Sequence, residues 1–210
     1  MRISRMVVAG VAAATALTVS VTGCGGNKTS TGPGHGSTTK SGSGTSVTSS
    51  SGPASSAPVQ PSDYAGLLIQ ASDINAPEQF TASPPVNNPN GQPGVATTFS
   101  TQDSSHVIKD TIQVLSDPAA ATNALNAAKA SAGSGINNPQ TGTANVGTGA
   151  TTLSGNAPDR SKGVLILLFT EGRAFVTLEF DGPTDSLPPD DFVNDVGQKQ
   201  AAAIKKGLGG

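Results

Sequence analysis

A short stretch around His106 holds the side chains of this sequence that most resemble catalytic groups. Ser104 and Ser105 precede the histidine, and Asp103 and Asp110 flank it. A nucleophilic hydroxyl, a general base and an orienting carboxylate are the parts of a hydrolytic relay. Such a relay is defined by three-dimensional geometry, however, and these residues are merely close in sequence. We therefore expect His106 to be a polar residue at the edge of a strand, and we predict that the chain is not an enzyme.

Other patterns fall short of a cofactor or metal site. Gly147 and Gly149 form a Gly-x-Gly, but a third glycine, a following helix and a ribose-binding acid are missing. Five aspartates between positions 181 and 195 do not have the spacing of a calcium-binding loop. Two histidines and one cysteine are too few for a closed zinc site. We expect no cofactor and no metal.

The charges of the chain are divided unevenly between its two parts. All 14 acidic residues lie at or after Asp63, whereas the only charges before it are Arg2, Arg5, Lys28 and Lys40. The first 62 residues therefore carry +4, and the remainder, with 8 basic residues, carries −6. Binding to a phosphate backbone needs clustered Lys and Arg, so we expect no nucleic-acid partner.

The first 24 residues predict export and attachment to a membrane. Arg2 and Arg5 precede an uncharged apolar run from Met6 to Val21, which is typical of a signal peptide and short for a span of about 20 residues. The sequence Val21-Thr22-Gly23-Cys24 follows and resembles a bacterial lipobox. This resemblance implies cleavage after residue 23 and a diacylglyceryl group on the sulfur of Cys24, the only cysteine of the chain.

Residues 24–61 are predicted to be the lipidated cysteine and a disordered linker. Of the 37 residues from 25 to 61, 28 are Gly, Ser, Thr or Pro, and such a segment cannot bury enough apolar surface to offset its ordering entropy. A coil of this length has a root-mean-square span of about 30–37 Å. The Ser and Thr residues also leave O-glycosylation open.

Residues 62–210 are predicted to form a small α+β domain. Alternating apolar residues indicate strands over 95–102, 106–115 and 174–180, a weaker strand over 144–153, and a central, mostly apolar strand over 163–170. Helices are expected near Tyr64–Leu68, from Asp117-Pro118 to Gly133, and over 188–206, ended by Gly207. A loop is expected where prolines crowd positions 77–93. The resulting fold is an antiparallel sheet of about five strands with helices packed on one face.

One apolar surface of this sheet needs a cover. Residues 164–169 are apolar on both faces of the strand, and Phe175 points away from the apolar row of its own strand. The second face, bearing Val164, Ile166, Leu168 and Phe175, is covered either by the segment 64–74 folding back or by an acyl chain or partner protein bound in an apolar groove.

The chain combines a signal peptide, a lipobox cysteine, a linker and a small Trp-free domain. This combination resembles the exported lipoproteins of actinobacteria, many of them mycobacterial and of unknown function. This resemblance implies a location on the outer face of the cell membrane, held there by lipid on Cys24. Non-catalytic binding of a partner protein or small apolar ligand is the function we expect. A lipid or acyl-chain carrier is the first alternative, and an envelope hydrolase is the second.

The anchor is tested by Cys24→Ser. Without the sulfur there is no atom to carry the diacylglyceryl group, so we expect the precursor to remain uncleaved by the lipoprotein-specific peptidase and to carry no lipid. Metabolic labelling with a clickable fatty acid measures this directly. A variant that still acquires the label would contradict the prediction.

Overall fold

A computed structural model describes residues 63–184 and 186–209. The predicted signal peptide 1–23, Cys24 and the linker 24–61 lie outside these described residues. The described residues contain an eight-stranded sheet and two α-helices. The strands are β1 (Phe80–Ala82), β2 (Val86–Asn87), β3 (Gly94–Thr101), β4 (Val107–Val114), β5 (Asn137–Thr143), β6 (Thr148–Asn156), β7 (Gly163–Glu171) and β8 (Ala174–Gly182). The helices are α1 (Pro118–Ala132) and α2 (Asp190–Leu208).

The hairpin of β7 and β8 forms the centre of the sheet. The spatial order is β1-β3-β4-β8-β7-β6-β5, with β2 also paired to β3, and every pairing is antiparallel. Glu171 pairs with Ala174 across the turn, where Gly172 has a φ of +55° that suits a two-residue hairpin. The predicted central strand 163–170 is thus confirmed, and it is buried on both faces.

The helices cover opposite faces of the sheet, so the prediction of helices on one face is wrong. Leu125 of α1 packs in one apolar cluster with Val164, Leu168 and Phe175. The alternate residues of the same strands pack in a second cluster that contains the inward side of α2. Since successive side chains of a strand point to opposite faces, a strand that is apolar throughout requires a cover on each side.

Segment 64–74 also lies on the α2 side. It contains two short 3₁₀ turns, Ala65–Leu67 and Ala71–Asp73, rather than the predicted helix. The fully buried amide of Gln200 ties this segment to α2, because it donates to Leu67 O at 2.7 Å and accepts from Ile69 N at 3.1 Å. The segment therefore covers the face opposite to the one that needed a cover in the sequence-based prediction.

Three strands were not expected from the sequence, which predicted about five. β1 and β2 lie within the proline-rich stretch, where Pro84 and Pro85 separate them along the outer edge of β3. Proline is tolerated there because an edge strand leaves one side of its backbone unpaired. β5 forms the other edge, and its register with β6 shifts between Asn137 and Gln140. Short or irregular strands at both edges discourage pairing with other chains.

Both helix starts follow from local sequence. Asp117 caps α1 by accepting a hydrogen bond from Ala120 N at 2.8 Å, with Pro118 at the first helical position. Asp190 and Asp191 occupy the first turn of α2, and Lys205 and Lys206 its last, as the helix dipole favours. The helix ends at Leu208, with Gly209 in a left-handed conformation, so the predicted stop at Gly207 is two residues early.

The described chain begins at one end of the sheet. Tyr64 N donates to the side-chain oxygen of Asn87 at 3.2 Å, and Asn87 pairs with Val95 near the start of β3. Thr101 ends β3 six residues later, about 20 Å away at roughly 3.3 Å per residue.

Close packing of α2 on the sheet depends on Gly197. A Cβ atom at this position would lie 2.8 Å from Leu167 Cδ2 and 2.9 Å from Val146 Cγ2, and Leu167 is fully buried. We expect Gly197→Val to lower the free energy of unfolding by about 1–3 kcal/mol through overpacking, measured by urea denaturation. Gly135→Val is the matched control, because a Cβ there meets nothing within 4 Å. Equal losses in the two variants would contradict the prediction.

Candidate functional site

A groove of about 470 Å³ opens at the end of the sheet where β3 and β8 end and β4 begins. It is lined by residues 75–78, 80, 101, 106–108, 180–182, 186–189 and 192. The segment before β1 forms one wall, and the segment before α2 with the first turn of that helix forms the other. Its volume lies within the range of small-molecule sites, about 300–1,000 Å³.

Aromatic and aliphatic side chains form the surface of the groove. Ile108 and Phe180 are buried at its base, and Phe80 and Phe192 are half-buried beside them. The rings of Phe180 and Phe192 meet edge to face, with centroids 6.1 Å apart, a favourable arrangement for an aromatic pair. Leu187 leaves 41% of its surface exposed at the groove, although a large aliphatic side chain gains from leaving water. The groove therefore offers apolar surface that α2 does not cover.

His106 stands at the mouth of the groove, held by a tight turn between β3 and β4. Its backbone N–H donates to Thr101 Oγ1 at 3.2 Å, and its carbonyl accepts from Thr101 N at 3.1 Å. Asp103 completes the turn by accepting from Ser105 N at 3.0 Å and from the Thr101 hydroxyl at 2.8 Å. These hydrogen bonds, that of the Ser105 backbone first, lower the pKa of Asp103 to about 2.

The polar side chains near His106 do not form a relay. Ser105 Oγ lies 3.0 Å from His106 Nδ1, and Glu78 Oε2 lies 3.8 Å from the same nitrogen. A relay needs the nucleophile and the carboxylate on opposite ring nitrogens. Asp110, the other carboxylate near the histidine in sequence, is fully buried in the core.

A network of four charges lies near the end of β8, on the face of the sheet opposite to Phe180. Lys109 Nζ is 2.7 Å from Glu179 Oε1 and 2.9 Å from Asp181 Oδ2, and Lys162 also pairs with Asp181. Burial alone would lower the pKa of Lys109, but its hydrogen bonds to both carboxylates raise it above its usual range. Burial likewise disfavours ionised Asp181, yet the two lysines hold its pKa below the ordinary value. Asp181, one of the groove-lining residues, is therefore neutralised by its own neighbours.

The four residues of the second apolar face, which were candidates for ligand or partner binding, do not line this groove. Val164, Leu168 and Phe175 are buried beneath α1, and Ile166 is half-buried against the same cluster. The methyl groups of the alanine-rich helix α1 cover this face, so its cover is neither of the two that the sequence suggested, the segment 64–74 or a bound group. The sequence did not predict the observed groove, because its lining residues come from segments that are distant in sequence. The available signal was that Phe180 ends the predicted strand 174–180 and that Phe192 lies near the start of the predicted helix 188–206.

Among the described residues, no group of three or more His, Cys, Asp or Glu side chains is arranged to hold a metal ion. None of the described helices combines the length and apolar character needed to cross a membrane. Neither observation bears on residues 1–62.

The fold is shared with a solved domain of different sequence. The extracellular domain of PknH from Mycobacterium tuberculosis aligns with a TM-score of 0.51 and 10% sequence identity, over 70% of this chain and 95% of that chain. The sequence matches no protein-family model and no curated protein sequence. At this identity the alignment establishes a common fold and leaves function to be argued from the groove.

Asp110 provides a pH-dependent test of the core. Its side chain lies between those of Ile108 and Ile112 on the α2 face of β4. Neither carboxyl oxygen has a hydrogen-bond partner among the described residues. Burial raises the pKa of this carboxyl to about 8. The unfolded chain ionises it above about pH 4, so its contribution to stability falls between about pH 4 and pH 8, by at most about 1.4 kcal/mol per pH unit.

Asp110→Asn removes this ionisation while keeping the shape of the side chain. We expect the free energy of unfolding of the variant, relative to the parent, to increase steadily from pH 5 to pH 8, measured by urea denaturation at each pH. Any constant offset from burying the amide does not affect this comparison. A difference between the two proteins that stays constant over the pH range would contradict the prediction.

Proposed function

We propose that this chain is an envelope lipoprotein, anchored through Cys24, whose extracytoplasmic domain binds an apolar group in the groove without catalysis. The apolar group belongs to a small ligand or to a partner protein. The groove carries this proposal, because it combines about 470 Å³ of space with exposed apolar surface and a few polar groups at the mouth, which are the features of ligand sites in general.

The leader and the fold both support the proposed location. The basic start, apolar run and lipobox support export and lipidation at Cys24. The structural similarity is to a domain described as extracellular, and an extracytoplasmic position for residues 62–210 is consistent with that description. Two or three acyl chains on one residue would hold the protein far more tightly than the marginal anchor of a single chain.

A lipid carrier is the alternative that shares most of these features. A carrier must shield a long acyl chain from water along most of its length, which favours a deep, enclosed cavity. The groove is open to solvent along one side, and polar residues such as Glu78 and His106 stand at its mouth. Such a site favours reversible recognition of an exposed apolar group over transport of a lipid.

The hydrolase alternative has less support. Ser105 is within hydrogen-bond distance of His106, as a nucleophile would be, but Glu78 approaches the same ring nitrogen and cannot orient the imidazole from its other side. A catalytic role would therefore need a different carboxylate.

Binding in the groove is tested with Leu187→Ser. A soluble fragment of residues 63–210 suits this measurement, since both apolar clusters of the described residues lie within it. We expect the variant to bind an uncharged apolar fluorescent probe, N-phenyl-1-naphthylamine, about fivefold more weakly, because part of one leucine side chain is lost from the site. Fluorescence titration gives the dissociation constant.

Val86→Ser is the matched control. Val86 is the other large hydrophobic side chain exposed among the described residues, at 59%, and it pairs near the start of β3, away from the groove. Both substitutions act on exposed positions, so neither should disturb folding. A parent domain that binds no probe, or two variants weakened equally, would overturn the proposal that the groove is the site.

A further inference from the structure

Apart from His106, the ionisable side chains that line the groove are acidic. Glu78 and Asp181 are the acidic residues among its lining, and no lysine or arginine belongs to the described lining residues. Asp181 is neutralised by Lys109 and Lys162, which do not belong to the lining. Glu78 forms no ion pair with a lysine or arginine in the described part of the chain, and only His106 approaches it, at 3.8 Å. The mouth of the groove therefore carries the negative charge of Glu78 without a lysine or arginine paired to it in the described part of the chain.

The aromatic residues of the chain are concentrated at the same place. The chain contains only six phenylalanines and one tyrosine, and Phe80, Phe180 and Phe192 line the groove. The face of an aromatic ring carries partial negative charge and attracts a cation within about 6 Å of its centre. Apolar walls of this kind thus accept an alkyl chain and also favour a positively charged group attached to it.

An anionic head group would find no lysine or arginine among the described lining residues. A carboxylate or phosphate entering the groove would lie near Glu78 without a lysine or arginine among the described lining residues to compensate it, and Asp190 follows directly after the lining residue Pro189. Like charges brought together at a binding surface lower affinity, whereas complementary charges set selectivity.

We propose that the groove selects amphiphiles with a positively charged head, of the alkylammonium type, over anionic ones such as fatty acids. This inference rests on the proposed function, since it assumes that the groove holds an apolar group. The head group lies at the mouth, near Glu78 and His106. The alkyl chain lies along Phe80, Phe180, Phe192 and Leu187.

Three probes with the same chain length test the inference. Dodecyltrimethylammonium, dodecyl maltoside and dodecanoate carry positive, neutral and negative heads on twelve-carbon chains. Each is titrated below its micelle concentration against the fragment of residues 63–210, in the same buffer and by isothermal calorimetry. We expect the cationic probe to bind at least about tenfold more tightly than dodecanoate, with the neutral probe between them, and we expect this preference to narrow as salt is added.

Charge variants separate the groove from the general acidity of the domain. Glu78→Gln should weaken binding of the cationic probe by about fivefold. Glu171→Gln changes net charge equally but lies at the opposite end of the sheet, at the turn between β7 and β8, and should leave binding unchanged. His106→Lys should shift the preference towards dodecanoate, because it adds a cation at the mouth.

The outcomes distinguish this inference from the proposed function. Dodecanoate binding as tightly as the cationic probe, or equal effects of the Glu78 and Glu171 variants, would overturn the charge selectivity while leaving an apolar groove. Failure of all three probes to bind would overturn both proposals.

Discussion

The central constraint on this fold is that the β7–β8 hairpin is apolar on both of its faces. Leu165 and Leu167 point to one side of β7, and Val164 and Leu168 to the other, and all four are buried. Burial of each side chain contributes about 1.5–3 kcal/mol to the free energy of folding, so neither face can remain exposed to solvent. Two separate covers are therefore required, and α1 and α2 supply them from stretches of the chain that lie before and after the hairpin.

The groove is a consequence of how far the second cover extends. α2 packs closely over the middle of the sheet, where Gly197 lets it approach Leu167, but it begins only at Asp190, and Phe192 of its first turn reaches the end of β8. Beyond that point the turn at His106 and the segments before β1 and α2 surround an apolar surface without filling it. The same packing that stabilises the core leaves phenylalanine rings accessible at one end.

Sequence patterns predicted the elements better than their arrangement. The Asp117-Pro118 start of α1 and the strands β7 and β8 depend on local signals, and they were predicted correctly. The edge strands escaped detection, since β1 and β2 are three and two residues long and exist only through pairing with β3. Which face each helix covers, and hence the fate of Val164 and Phe175, depends on contacts distant in sequence. Cys24 lies outside the described residues, and its lipidation stays a prediction.

The attachment of Tyr64 to Asn87 has a mechanical consequence. A linker joined to residue 63 would pull on the domain beside the start of β3. This point is roughly 20 Å along that strand from the mouth of the groove. A pull at that point would act first on the hydrogen bonds of Tyr64 and Gln200 and on the pairing of β2 with β3. Thr101, which lines the groove, ends β3, so the point of attachment and the groove lie at opposite ends of this strand.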